Sequence, residues 1–175
     1  MTREEVTKKI EAFNPGERKI TDIVIHCSAT VEGKDFHARD IDAWHKQRGF
    51  RKIGYHFVVD LDGTIEEGRP LRETGAHVKD HNGHSVGICY IGGLTKSGQK
   101  VNTRTDEQKD SLRFLLEQLV SRLPDVTKIA GHRDYSPDKN GNGVVDIFER
   151  IKDCPCFDAI PEYADLLKKN NEDGK

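Results

Sequence analysis

A run of about 18 apolar residues, the length that crosses a bilayer as a helix, occurs nowhere in the chain. The N-terminal "MTREEVTKKIEAFNPGERK" lacks the apolar centre of a secretory leader, so a product that is cytoplasmic as synthesised is expected. An excess of one charge sign is missing too. Lys and Arg number 28 against 30 Asp and Glu, a formal net charge of -2, which excludes binding to nucleic acid or to an anionic membrane by bulk electrostatics. No composition break divides the 175 residues, so one core in a single domain is expected rather than two. Internal repeats and low-complexity tracts are absent apart from the polar tail "NNEDGK". The chain has four cysteines. In a chain without a leader these read as reduced thiols, available as core residues or metal ligands.

What is present alternates between strand and helix signals. Val6, Ile10 and Phe13 lie at helical spacing before "NPG", which predicts a short amphipathic helix over 2–13, read as an appendage. "ITDIVIH" predicts a buried strand that delivers His26 to its exit, and "VTKIAGH" does the same for His132. Between them, Ile41, Trp44 and His45 mark one helical face closed by Gly49, and "YHFVVDLDGTIEEG" predicts a hairpin around Asp-Gly. "TGAHVKDHNGHS" predicts a polar loop leading into the strand "VGICYIGG". Thr105 opens a Thr-x-x-Gln capping box, and Leu112, Leu115, Leu116 and Leu119 repeat at helical spacing behind it. "FDAIPEYADLLKK" predicts a last helix interrupted at Pro161.

Two strand-end histidines can aim their imidazoles at one point, and Cys154 in the turn "DCPC" can add a thiolate. Three protein ligands with one open position describe a catalytic zinc site, whereas a structural site closes with a fourth side chain. On chemistry alone Cys156 and the cluster His77, His81 and His84 compete for the same role. Tyr55 reads equally as a core aromatic, and Lys152 as one of many solvated lysines.

The successive motifs "IVIHCSAT", "WHKQRGF", "IGYHFVVDLDGTIEEGRP", "GAHVKDHNGHSVGICYIGG" and "AGHRDYSP…KDCPCFD" resemble, in order, those of the zinc-dependent N-acetylmuramoyl-L-alanine amidases of the phage-lysozyme type, relatives of peptidoglycan recognition proteins. The resemblance implies an α/β domain with a central mixed sheet flanked by helices. It implies Zn²⁺ on His26, His132 and Cys154, with Tyr55 and Lys152 completing the active site, and it places His77 and Asn82 at the rim of the substrate cleft. His56 is expected to be structural, on the opposite strand face from Tyr55. The organisation expected is an N-terminal extension over 1–18, an amidase domain over 19–170 and a tail over 171–175. The implied activity is hydrolysis of the amide between N-acetylmuramic acid and L-alanine, in phage or prophage lysis, by a monomer whose partner is peptidoglycan or a muropeptide. A muropeptide-recycling enzyme and a non-catalytic cell-wall binding module are the alternatives. Such modules often lack the cysteine ligand, which this chain keeps.

One departure stands out. In compact relatives the second histidine and the cysteine are a few residues apart, whereas here residues 133–153 separate them. The intervening "DKNGNGVVDIFE" fits a twelve-position calcium loop, with Asp138, Asn140, Asn142, the Val144 carbonyl, Asp146 and Glu149 at ligand positions and Gly143 at the sharp turn. A structural Ca²⁺ closing this insert is therefore expected. Pro137 argues against an incoming helix, and the alternative is an Asn/Gly-rich turn held by side-chain to backbone hydrogen bonds.

Overall fold

The computed structural model describes residues 1–167; the polar tail lies outside them. β1 (Asp22–Cys27) lies inside the sheet, and its residues from Ile23 to Cys27 are buried on both faces, as a strand covered on both sides requires. β1 pairs in parallel with β5 (Ser85–Tyr90) on one side and β7 (Lys128–Gly131) on the other. β3 (Phe57–Val59) adds parallel to β5, and β4 (Ile65–Glu67) closes the edge antiparallel, giving the order β4-β3-β5-β1-β7. Two short strands, β2 (Thr30–Val31) and β6 (Gly93–Leu94), pair separately. The mixed sheet flanked by helices agrees with the fold class read from the sequence.

The alternation of strand side chains divides the interior in two. Ile23, Ile25, Val86, Ile88, Phe57 and Val59 belong to the larger core with Leu112, Leu115, Leu116 and Leu119 of α3 (Asp106–Arg122). Val58 and Cys89 belong to a smaller core with Ile41 of α2 (Ala38–Gln47) and Ile91. α3 begins at the capping box the sequence signals, and α2 ends just before the glycine read as its terminator. Thr105 accepts from the Gln108 N–H at 3.0 Å while the Gln108 side chain accepts from the Thr105 N–H at 3.1 Å. Gly49, with φ at 86°, follows α2 in the left-handed conformation that glycine adopts at little cost.

α1 (Arg3–Glu11), capped by Thr2, does not stand apart as an appendage. Val6, Ile10 and Phe13 are buried in the larger core, and the helix packs on α3. The last helical segment, α4 (Ala159–Glu162), contains Pro161 in its first turn, where the missing N–H goes unneeded, so the break falls at Tyr163 instead. The Arg104 guanidinium anchors this segment, donating to both Glu162 carboxylate oxygens at 2.8 Å and lying 3.3 Å from the Phe157 ring centroid. Among the described residues no helix is long and apolar enough to cross a membrane.

Candidate active site

The register of the sheet builds the site. Ile25 of β1 lies opposite Gly131 of β7, so the next residues, His26 and His132, leave parallel neighbouring strands at the same edge. Ligand sites in such sheets form at the carboxyl ends of the strands. The His26 and His132 Nδ1 atoms are 3.1 Å apart, the Cys154 Sγ is 3.8 Å from His26 Nδ1, and the three ligand atoms all fall within 4.8 Å of one another. Cys154 returns to this point across the long insert because its carbonyl accepts the Arg133 N–H at 2.8 Å. Gly131 permits the approach, since a Cβ there would lie 2.2 Å from the Pro155 ring. The Tyr90 phenol donates to the Pro155 carbonyl at 2.7 Å from inside the core and pins the turn.

This donor set fits a zinc ion. Bond lengths near 2.0–2.1 Å to nitrogen and 2.3 Å to sulfur place tetrahedral ligand atoms about 3.3–3.6 Å apart, close to the separations found. Burial holds the His26 imidazole well below its ordinary pKa, with His77 and His132 adding to the effect, and burial lowers His132 to about 4. Both rings are therefore neutral at pH 7, as metal ligation requires. The Cys27 backbone N–H donates to the Cys154 sulfur at 3.2 Å and fixes its position. Cys156 points elsewhere, with its sulfur 3.9 Å from Cys27 Sγ and 3.6 Å from the Gly93 carbonyl oxygen. Among the described residues, the group at this point that could hold a metal ion is His26, His132 and Cys154, without Cys156.

His77 lines the cleft and also reaches behind it. It is buried, and its Nδ1 lies 3.1 Å from His26 Nε2 while its Nε2 faces the Ser85 hydroxyl at 3.4 Å. These partners assign a tautomer in which His26 donates from Nε2 and keeps Nδ1 free for a metal, the usual arrangement behind a ligand histidine. Gly87 leaves room for the ring, since a Cβ there would come within 2.6 Å of it. His77→Ala is expected to weaken zinc affinity roughly 10–100-fold, read by competition with a chromogenic chelator. Asn82 serves the same loop, its Oδ1 accepting the His77 and Val78 N–H groups at 2.7 and 2.9 Å.

Tyr55 and His56 do not sit on opposite strand faces. β3 begins only at Phe57, so the alternation does not reach them, and both rings neighbour His77. His56 is structural as expected, with Nδ1 accepting the Gly87 N–H at 3.0 Å and Nε2 donating to the Glu73 carbonyl at 2.9 Å. Burial holds it down to about 3. The unfolded chain takes this proton near pH 6.5 and the folded chain does not, so stability falls as pH drops from about 6.5 toward 3, by up to roughly 1.4 kcal/mol per pH unit. Urea midpoints measured across that range should show a slope shallower by one proton in His56→Gln.

His132 and Cys154 open onto a cleft of about 440 Å³ lined also by Tyr55, His45, Arg48, His77, Lys79, Asn82 and Lys152, while His26 is fully buried. Among the described residues no Asp or Glu lines the cleft. The Tyr55 ring lies 4.9 Å from that of His26, and burial raises its phenol well above the ordinary value, so it keeps its proton. His45 was placed by the sequence on a helix face without a role; its Nδ1 accepts the Gly54 N–H at 2.9 Å and its ring packs against Tyr55 at 5.3 Å.

The insert closes on itself. The Asp138 carboxylate accepts from the Gly141 and Gly143 N–H groups at 2.7 and 2.8 Å. The buried Glu149 accepts from Lys139, Asn140 and Asp146 N–H groups, and the Asn140 and Asn142 amides donate to Asp146. These bonds account for the turn without an ion, and the calcium expectation rests on residue spacing.

Fold and cleft together define an amidase acting on peptidoglycan. The description "N-acetylmuramoyl-L-alanine amidase" belongs to the family that matches residues 16–155, and the chain is a member of that family. It is 37% identical over 134 residues to the endolysin of Enterobacteria phage K11, covering 77% of this chain and 79% of that one. The endolysin of Escherichia phage T7 is 35% identical over 143 residues, covering 81% and 85%. Among solved structures, the amidase LysC from Clostridium intestinale superposes with a TM-score of 0.64 at 27% identity, over 89% of this chain and 87% of that one. A complex of the peptidoglycan recognition proteins LCa and LCx bound to tracheal cytotoxin matches at 0.56 and 28%, over 77% and 83%.

Proposed function

We propose that this amidase is a zinc enzyme of phage or prophage lysis, with Zn²⁺ held by His26, His132 and Cys154 and the reaction completed by Tyr55 and Lys152. The observation that carries the reading is the convergence of two neutral imidazoles and one sulfur, two of the three, His132 and Cys154, lining an open cleft. When bound, zinc supplies Lewis-acid chemistry and brings the pKa of water down to about 7. The protein's own groups supply the rest. The protonated Tyr55 phenol donates to the substrate carbonyl oxygen as negative charge develops there, and Lys152, which lines the same cleft, adds electrostatic stabilisation. His77 keeps His26 in the ligating tautomer. Arg48, Lys79 and Lys152 give the cleft a positive lining suited to the carboxylates of a stem peptide. The cleft is complete within one chain, which supports a working monomer.

Likeness to phage endolysins favours lysis over recycling. Zinc-loaded protein is expected to release new amino termini from insoluble peptidoglycan, to stop with chelator and to resume with added Zn²⁺. Release from soluble muropeptides alone would point to recycling, and chelator-resistant activity would overturn the zinc assignment.

A structural Ca²⁺ on Asp138, Asn140, Asn142, the Val144 carbonyl, Asp146 and Glu149 belongs to the same reading, supported by their spacing in the sequence. Adding Ca²⁺ to zinc-loaded protein is expected to raise its melting temperature, and an unchanged value would remove this ion from the account.

A further inference from the structure

A second group of ligating side chains lies away from the cleft. His37 stands at the N-cap of α2, Asp60 directly follows β3, and Glu66 lies in β4. Their ligand atoms all fall within 4.8 Å of one another. His37 Nδ1 is 2.7 Å from Asp60 Oδ2 and 3.6 Å from Glu66 Oε1, spacings close to those of the cleft triad. We propose that His37, Asp60 and Glu66 form a second metal site that binds one first-row divalent cation.

The strongest pointer is Asp60. It is 3% exposed, and its Oδ1 is buried with no hydrogen-bond partner. Buried polar atoms are ordinarily paired, and a carboxylate oxygen left bare inside a protein is costly. Among the described residues, neither Asp60 nor Glu66 pairs with a lysine or arginine. With the His37 proton displaced, the two carboxylates would carry the charge that a divalent cation cancels.

The surroundings hold these groups in place. Glu66 Oε2 accepts the Ala38 N–H at 2.6 Å, which leaves Oε1 turned toward His37. The Asp40 carboxylate accepts the His37 N–H at 2.8 Å and fixes its backbone. His37 and Glu66 are each about one third exposed, at 30% and 32% of their side chains, so water can reach and complete the coordination. One nitrogen and two carboxylate donors suit Mn²⁺ or Zn²⁺, whereas the sulfur of the cleft triad disfavours Mn²⁺. Bound there, a cation would fasten the start of α2 to the β3–β4 hairpin.

The difference in ligand softness gives the test. Protein carrying one equivalent of Zn²⁺ is titrated with Mn²⁺ in the presence of excess Ca²⁺, which occupies the oxygen ligands of the insert, and free Mn²⁺ is followed by electron paramagnetic resonance. One equivalent should bind to the wild type, and its affinity should fall tenfold or more in His37→Asn, which keeps an N-capping side chain, and in Glu66→Gln. Peptidoglycan hydrolysis by the cleft should persist in both variants, which separates this site from the catalytic one. Failure of the wild type to bind Mn²⁺, or binding unchanged by both substitutions, would overturn the proposal.

Discussion

Cys154→Ser is expected to lose its zinc and to cut amide hydrolysis by roughly three orders of magnitude or more. The ion is worth several kcal/mol of transition-state charge stabilisation, and each 1.4 kcal/mol or so is tenfold in rate. Serine cannot offer a thiolate, and the two remaining imidazoles make an incomplete set. Cys156→Ser is the matching control. Its sulfur faces Cys27 and the Gly93 carbonyl rather than the histidines, so zinc content and rate should stay close to wild type. Elemental analysis beside a muropeptide assay reads both outcomes, and equal zinc loss in the two variants would refute the assigned ligand set.

Tyr55→Phe should leave zinc bound while turnover falls by about 10²–10³-fold, the usual cost of removing one oxyanion donor. The ring packs between His26 and His45, and phenylalanine preserves that packing, so the melting temperature should hold. KM should change little, because the donated hydrogen bond strengthens as charge develops on the carbonyl oxygen. A rate unchanged within twofold, with zinc retained, would exclude Tyr55 from the chemistry.

Much of this geometry was legible in the chain because local signals and the fold agree. α3 was readable from its first turn, since the capping box and the leucine spacing both point the same way. His26 and His132 were readable because apolar strands end at each. His77 was harder to place. In one dimension a histidine in a glycine-rich polar loop looks exposed, and only the packing of that loop over β5, with Gly87 clearing space beneath it, turns the ring inward behind His26. The cluster at His37 escaped for a similar reason, because its three members come from separate elements and share no motif. Tyr55 and His56 failed the alternation rule because the regular strand starts two residues later than the sequence pattern suggested.

The placement of α1 has a practical consequence for anyone trimming this protein. The family match starts at residue 16, yet Val6, Ile10 and Phe13 fill the same interior as α3. Burial of such side chains contributes about 1.5–3 kcal/mol apiece, against a typical net stability of about 5–15 kcal/mol for a whole domain. A clone cut at the border shared with other amidases would thus keep every ligand and still strip the floor from beneath the sheet, so the unit that folds is longer than the unit that homology outlines.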